Sequence, residues 1–464
     1  MSVVRKSLVF SSATFISRLG GLLRDVSLAA VYGASRMLDA YFVSIVVPFF
    51  FRKVFGEGAL SSSFVPAYKK AKDRDVFVSS VLNSLGIVTT VIVVLIEIFP
   101  GAVASIFSPG LPKEIVVPLV RVSALMIPLI FLWAVFYSIL NSHGRFFLPA
   151  LSPVLMNLGV IAGTLLGKSV LWSIWGFVLG GTAAAAILGI EASRYFRYRF
   201  TMRGFSGYAP SFLKATLAVM ANQLNLLVDT AVSSMLGEGA VSAVQLASRL
   251  YQLPMGLFVV AVSTVSLVEM SERDARRESF DASLYLALPS AVGLFALSEG
   301  IVRLVYSFGR FSGNAVDITG ETLRMYSIGL VFYAVYSVAL RYHHAKGEMN
   351  VPLISSFIVS GVNIVLDFPL GFSMGPSGVA LATSLAGMAG TLFFWMRREM
   401  ILDRVELMKM LFASTLVGTS AWILGKGGGR TETILAVILG VVIYVLLSIA
   451  LKIRAFSEIT RRSR

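Results

Sequence analysis

The chain has 464 residues, of which 56% are hydrophobic and only 14% charged, whereas a soluble domain is roughly a quarter charged. Its mean hydropathy of +0.81 excludes an ordinary soluble fold, and its net charge of +15 has to be read against membrane topology before nucleic acid is considered. With no cysteine present, disulfides, thiolate catalysis and cysteine metal sites are excluded.

Roughly 20 helical residues cross about 30 Å of hydrocarbon, and apolar runs of that kind recur from end to end. In chain order the spans are expected near 7–33, 37–66, 77–103, 115–141, 149–167 and 170–193. They continue near 211–236, 241–270, 280–306, 321–343, 351–373 and 376–397, and end with 407–425 and 431–453. Each run is continuously apolar rather than alternating, which selects helices over a barrel. The expected fold class is an all-α polytopic membrane protein of about fourteen transmembrane helices. The first run passes straight into polar sequence with no small-residue cleavage site, so it reads as a retained helix.

The first helix carries Arg18, Arg24 and Asp25, and the second carries Arg52 beside Pro48 and Gly56-Glu57-Gly58. The eighth carries Arg249. Arg24, Arg52 and Arg249 lie roughly 12 Å or more below the outer surface at 1.5 Å per residue, too deep to snorkel. Each costs about 2.5–3.5 kcal/mol to insert at a helix centre, so a wet cavity holding an anion is the environment they call for. Arg18 and Asp25 are seven apart and share a stripe with Thr14 and Gly21, which marks an inward face. The alternative is structural, with Arg18 or Arg24 paired to Asp25, and Arg52 to Glu57, merely to fix packing. Pro48 and the Gly-Glu-Gly stretch predict a bend in the long second helix.

Lys and Arg follow the same topology. The even-numbered connections hold Lys69, Lys70, Lys72 and Arg74, then Arg194, Arg197, Arg199 and Arg203, then Arg273, Arg276 and Arg277, among others. With the termini, this side carries about two dozen positive charges against roughly seven opposite, so both termini are expected in the cytoplasm and nucleic acid is not expected as a partner.

An offset near 200 residues aligns the halves: Leu22-Leu23-Arg24-Asp25 with Leu226-Leu227-Val228-Asp229, Gly33 with Gly237, and Gly176-Phe177-Val178-Leu179 with Gly378-Val379-Ala380-Leu381. A duplicated six-helix unit follows, giving an N-lobe at 1–203, a C-lobe at 204–400 and two unduplicated helices in 401–464. Because six is even, the halves should be related by a pseudo-twofold axis along the membrane normal, the arrangement of transporters with a midplane site. The last two helices lack deep charge and suit a lipid tail.

A second polar cluster gathers Asp229, the pair Asn363 and Asp367 four apart on one helix face, and Thr383. Hard oxygen donors suit sodium or a proton, and the alternative is a hydrogen-bonded polar core. His143, His343 and His344 fall in connections, where histidines are usually solvated, and receive no role. No phosphate-binding loop, dinucleotide fingerprint, zinc motif or nucleophile elbow is present, so no enzyme chemistry and no cofactor are expected beyond a coupling or structural sodium.

The stretches Ser17-Arg18-Leu19-Gly20-Gly21-Leu22-Leu23-Arg24-Asp25, Asp39-Ala40-Tyr41 through Arg52 and Gly56-Glu57-Gly58 to Pro66, and Asn141-Ser142-His143-Gly144-Arg145-Phe146 resemble the MurJ family of bacterial lipid II flippases, in the multidrug/oligosaccharidyl-lipid/polysaccharide exporter superfamily. The resemblance implies two lobes around a cationic cavity that opens alternately to each side, in the cytoplasmic membrane. It implies Arg18, Arg24, Asp25, Arg52 and Arg249, with Glu57 from the same motif as Arg52, as substrate-binding residues. It also implies a sodium site of Asp229, Asn363, Asp367, the Val379 carbonyl and Thr383, and an apolar groove on the last two helices for the polyprenyl tail. Lipid II and membrane lipids are the partners expected of a monomer. A flippase for another polyprenyl-diphosphate oligosaccharide would look alike, and a drug/cation antiporter is the further alternative, disfavoured because forked guanidinium groups suit a diphosphate rather than a cation.

Overall fold

The computed structural model describes residues 3–272 and 276–462, with side chains throughout except at 3–11, 56–59, 61, 62, 218, 221, 222, 257–272 and 459–462. Arg273 and the side chain of Glu57 therefore lie outside the described residues. Every regular element among those residues is a helix, and the helices form two units, Met1–Glu238 and Gly239–Arg464.

In the first unit, α1 (Val3–Tyr32) leads to α2 (Arg36–Arg52), which passes through a π-helical turn at Lys53–Gly58 into α3 (Ala59–Lys70). Pro48 lies inside α2 without ending it; the ladder is rearranged one turn later, in the glycine-flanked stretch read above as a bend. Asp73 then caps α4 (Arg74–Ile98) by accepting the Val76 N–H at 3.1 Å. The expected span 77–103 is split, because Pro100 opens α5 (Pro100–Phe107), where its missing N–H costs nothing. There follow α6 (Lys113–Ala124), α7 (Met126–Ser142), α8 (Phe147–Leu151), α9 (Pro153–Leu166), α10 (Val170–Ala192) and α11 (Phe205–Ser234). Contacts group α11 with the first unit: the Tyr208 and Ser63 hydroxyls meet at 2.8 Å and the Phe212 ring stacks near Phe55. At its other end Ser234 accepts the Gly110 N–H at 3.3 Å.

Helices α9 and α10 show why small residues recur. Gly159 and Gly163 on one, and Gly176 and Gly180 on the other, are each spaced by four, and a Cβ at Gly159 or Gly176 would overlap the other's carbonyl oxygen. Close backbone approach through such small residues is how helices associate where lipid removes the hydrophobic drive.

The second unit comprises α12 (Ala240–Glu272), α13 (Arg276–Ala296), α14 (Ser298–Tyr306), α15 (Asn314–Ala345), α16 (Asn350–Met374), α17 (Pro376–Met396), α18 (Arg404–Gly425), α19 (Arg430–Ala450) and α20 (Arg454–Arg462). A core of Phe280, Leu284, Tyr336, Phe394, Met410 and Val417 ties α13, α15, α17 and α18 together. Asp403 caps α18 and also meets Arg277 and Arg454. Desolvation works against its charge, yet the α18 N–H groups and Arg277 outweigh it and hold the carboxyl below its ordinary value.

Local geometry matches at the positions paired by the internal alignment. Gly33 and Gly237 both follow a helix end with φ of 65° and 107°. These left-handed positions favour glycine. Gly378 meets the Leu370 carbonyl as closely as Gly176 meets that of Gly159.

Among the described residues, ten segments are long and apolar enough to cross a bilayer, from Arg74–Ile98 to Arg430–Ala450.

Candidate functional site: buried arginines and an apolar groove

In the first unit, Arg24 is 6% exposed and Asp25 1%. Arg24 donates through Nε and Nη2 to one Asp25 oxygen at 2.9 and 2.8 Å, and through Nη1 to Asn157 Oδ1 at 3.1 Å. Asn157 in turn donates to the Ser17 carbonyl at 3.3 Å. Gly20 lies against the same amide, and a Cβ there would stand in ordinary contact with it at 3.4 Å. The pairing of Arg24 with Asp25 considered from sequence is present, and it orients the guanidinium without discharging the site: Arg52 lies next to it. The Phe49 ring is 6.0 Å from Arg24 and 5.9 Å from Arg52, and Trp133 is 5.9 Å from Arg52. Trp133 is anchored by its indole N–H to Ser152 Oγ at 2.7 Å. An aromatic ring shared by two cations offsets part of their repulsion, each contact contributing about 0.5–2 kcal/mol according to desolvation.

Arg18 is exposed on the same helix one heptad before the buried Asp25; the hydrogen bonds tie Asp25 to Arg24 rather than to Arg18. Arg249 is half-buried on α12 of the second unit.

The oxygen-donor residues divide between the units. Asp229 is half-buried on α11 in the first. In the second, Asn363 donates to Asp367 at 2.9 Å, and both are buried on α16. Thr383 donates to the Val379 carbonyl at 3.2 Å on α17, which packs along α16. A fully buried carboxyl such as Asp367, in a membrane helix, calls for a counter-charge or a proton.

The second unit also encloses an apolar cavity of about 410 Å³, lined by Pro289 and Gly293 of α13, Val417 and Ala421 of α18, and Gly440 and Tyr444 of α19, among others. Its polar groups are turned into the wall: Tyr444 Oη donates to the Tyr285 carbonyl at 2.7 Å, and Tyr285 Oη meets Ser448 Oγ at 3.0 Å. The two unduplicated helices therefore form a groove together with α13 and with Pro254 of α12 and Ile301 of α14, contributions not visible in their own sequence.

A family model described as "Lipid II flippase MurJ" matches residues 28–451. The chain belongs to the MurJ family. A probable lipid II flippase MurJ of Thermotoga maritima is 44% identical, with 100% of this chain and 99% of the relative covered. The lipid II flippase MurJ of Thermosipho africanus is 37% identical, with 85% of each covered. A solved MurJ flippase in an inward closed conformation superposes with a TM-score of 0.88 at 36% identity, covering 95% of this chain and 98% of that one. An inward-facing multidrug transporter of the wider superfamily gives a TM-score of 0.66 at 16% identity over 84% of this chain and 97% of its own, which establishes shared fold alone.

Three participants escaped the sequence reading. Asn157 had a signal, being the single amide within the otherwise apolar α9, where a polar residue needs a partner. Phe49 and Trp133 had none, because aromatic residues in membrane helices are ordinary. One histidine also departs from expectation: His343 is 2% exposed, clasped by Glu348 at 2.7 Å and Glu399 at 2.6 Å.

Proposed function

We propose that this protein moves lipid II, the undecaprenyl-diphosphate-linked peptidoglycan precursor, from the cytoplasmic to the outer leaflet of the bacterial inner membrane by alternating access. The observation that carries this reading is Arg24 held ready by Asp25 and Asn157, with Arg52 against the same Phe49 ring. Two oriented guanidinium groups match a diphosphate through charge-assisted, forked hydrogen bonds. Arg18, Glu57 and, in the second unit, Arg249 complete the proposed binding set, with 1–203 and 204–400 as the lobes that exchange access. The excess of Lys and Arg in the even-numbered connections supports cytoplasmic termini, and a monomer suffices. The direct test is depletion of the protein in its host: lipid II should accumulate in the cytoplasmic leaflet. Accumulation of a different lipid-linked glycan instead would transfer the same diphosphate-reading site to that substrate.

Asn157→Ala removes one hydrogen bond to a charged donor and leaves the Arg24–Asp25 pair in place. Such a bond contributes about 1.5–3 kcal/mol, so binding of a short-chain prenyl diphosphate to the purified protein should weaken by about tenfold or more in calorimetry. Unchanged affinity would reduce Asn157 to a packing residue.

Sodium is the proposed ion for Asp229, Asn363, Asp367, the Val379 carbonyl and Thr383, supported by the buried Asn363–Asp367 pair on α16 and by the Thr383–Val379 bond on α17, which packs along it. An ion that binds only the folded state raises stability by about 2.7 kcal/mol at a hundredfold excess over its dissociation constant. The melting midpoint should rise with sodium, and Asp229→Ala or Asp367→Asn should abolish the rise. Identical midpoints in sodium and choline would eliminate the site.

A further inference from the structure

Between α10 and α11 the chain reads Phe196-Arg197-Tyr198-Arg199-Phe200-Thr201-Met202-Arg203. Even positions are apolar or aromatic and odd positions polar, a period of two that places the sets on opposite faces of extended chain. The segment is held against one stripe of α4. The Arg197 N–H donates to Asp75 at 3.0 Å and the Arg199 N–H to Ser79 Oγ at 2.9 Å, while the Asn83 amide donates to the carbonyls of Arg199 and Thr201 at 3.3 and 2.9 Å. Asp75, Ser79 and Asn83 are four apart, so they lie on one helix face. From the first to the last is about 12 Å along α4 at 1.5 Å per residue, starting at the end of a segment apolar enough to span the membrane. The strap therefore runs from the water boundary toward the hydrocarbon.

Its apolar row is exposed, Phe200 at 86%, Tyr198 at 58% and Met202 at 48%, and the Tyr198 hydroxyl donates back to Asn83 Oδ1 at 2.6 Å. The backbone bonds fix this outward display. Arg199 is engaged by Asp73 at 3.2 Å and Asp75 at 3.6 Å, whereas the side chains of Arg197 and Arg203 are exposed. Aromatic rings flanked by arginines fit the boundary between head groups and acyl chains.

We propose that residues 196–203 form a membrane-surface clamp, in which Phe200 and Met202 insert among the lipids, the Tyr198 ring lies beside them with its hydroxyl held by Asn83, and Arg197 and Arg203 bind the head groups of anionic phospholipids. Which leaflet this is follows from the orientation proposed above; the insertion does not depend on it. The chain has no cysteine, so Phe200→Cys in the full-length protein gives a unique site for a nitroxide label, and Lys72→Cys on the exposed α3–α4 turn gives an aqueous reference. In vesicles containing phosphatidylglycerol, the label at position 200 should collide preferentially with oxygen and the label at position 72 with a nickel chelate. Arg197→Gln with Arg203→Gln should lower selective retention of phosphatidylglycerol over phosphatidylcholine by about fivefold per charge removed, measured by native mass spectrometry. Equal nickel access at positions 200 and 72 would show the row facing water or a soluble partner and overturn the insertion. Unaltered lipid selection in the double variant would overturn the head-group assignment.

Discussion

Cells depleted of their own lipid II flippase should form no colonies on the Arg52→Ala protein, although it inserts into the membrane at normal levels. Arg52 is half-buried and touches the rings of Phe49 and Trp133. Truncating it removes cation–π contacts of modest stability but also the cation proposed to meet the diphosphate. Each charge-assisted hydrogen bond lost costs about 1.5–3 kcal/mol of binding, or roughly ten- to a hundredfold. Arg24→Ala should be equally inactive, but it leaves Asp25 buried without its cation, and breaking a buried pair costs about 3–5 kcal/mol of stability. Arg24→Lys separates the two effects: it keeps a charge beside Asp25 and forfeits the fork shared with Asn157, so the protein should fold and transport poorly. Arg249→Ala in the second unit should also fail to support growth. Normal colonies from Arg52→Ala, Arg24→Lys and Arg249→Ala alike would remove the arginines from substrate binding.

Gly293→Leu should block transport of the long-chain substrate while leaving short-chain diphosphates able to bind. Gly293 lines the apolar cavity of the second unit, and a Cβ there would meet nothing within 4 Å. A leucine thus extends into the groove without overlapping the backbone, and replacing glycine inside a helix is itself favourable by up to about 1 kcal/mol, so misfolding is not the expected cause of failure. A polyprenyl tail excluded from an apolar path would lose about 0.8 kcal/mol for each CH₂ left in water. Deleting residues after Met400 should act in the same direction, because it removes the α18 and α19 lining of the groove. Calorimetry with diphosphates differing only in chain length reads both variants; an unchanged ratio of long- to short-chain affinity would sever the groove from the tail.

The helices were legible because each membrane crossing is a long apolar run, and the deep charges were legible because they interrupt such runs. Breaks inside the runs were less so: Pro100 and Pro153 start new helices, yet Pro48 and Pro289 sit within continuous ones, and hydropathy alone does not distinguish them. Contacts between distant segments were illegible. Asn157 reaches Arg24 from 133 positions away, and α11, expected from sequence as the first helix of a second repeat, packs through Tyr208 and Phe212 against α3 and the π-helical turn. Loop histidines were judged by average behaviour, which describes the exposed His143 but not His343, buried between two carboxylates from different turns.

The π-helical turn at Lys53–Gly58 holds one residue more per closed hydrogen-bond ring than α-helix does. If that turn tightened to α-helix, the surplus residue would have to pass to a neighbouring turn. Everything on one side would rotate about 100° relative to the other, with no hydrogen bond lost beyond the turn itself. Arg52 is the last residue before it, so its guanidinium would sweep from one side of the helix axis toward the next while α3 kept its own packing. The second helix thus contains a register joint, able to redirect a charge by twisting rather than by bending.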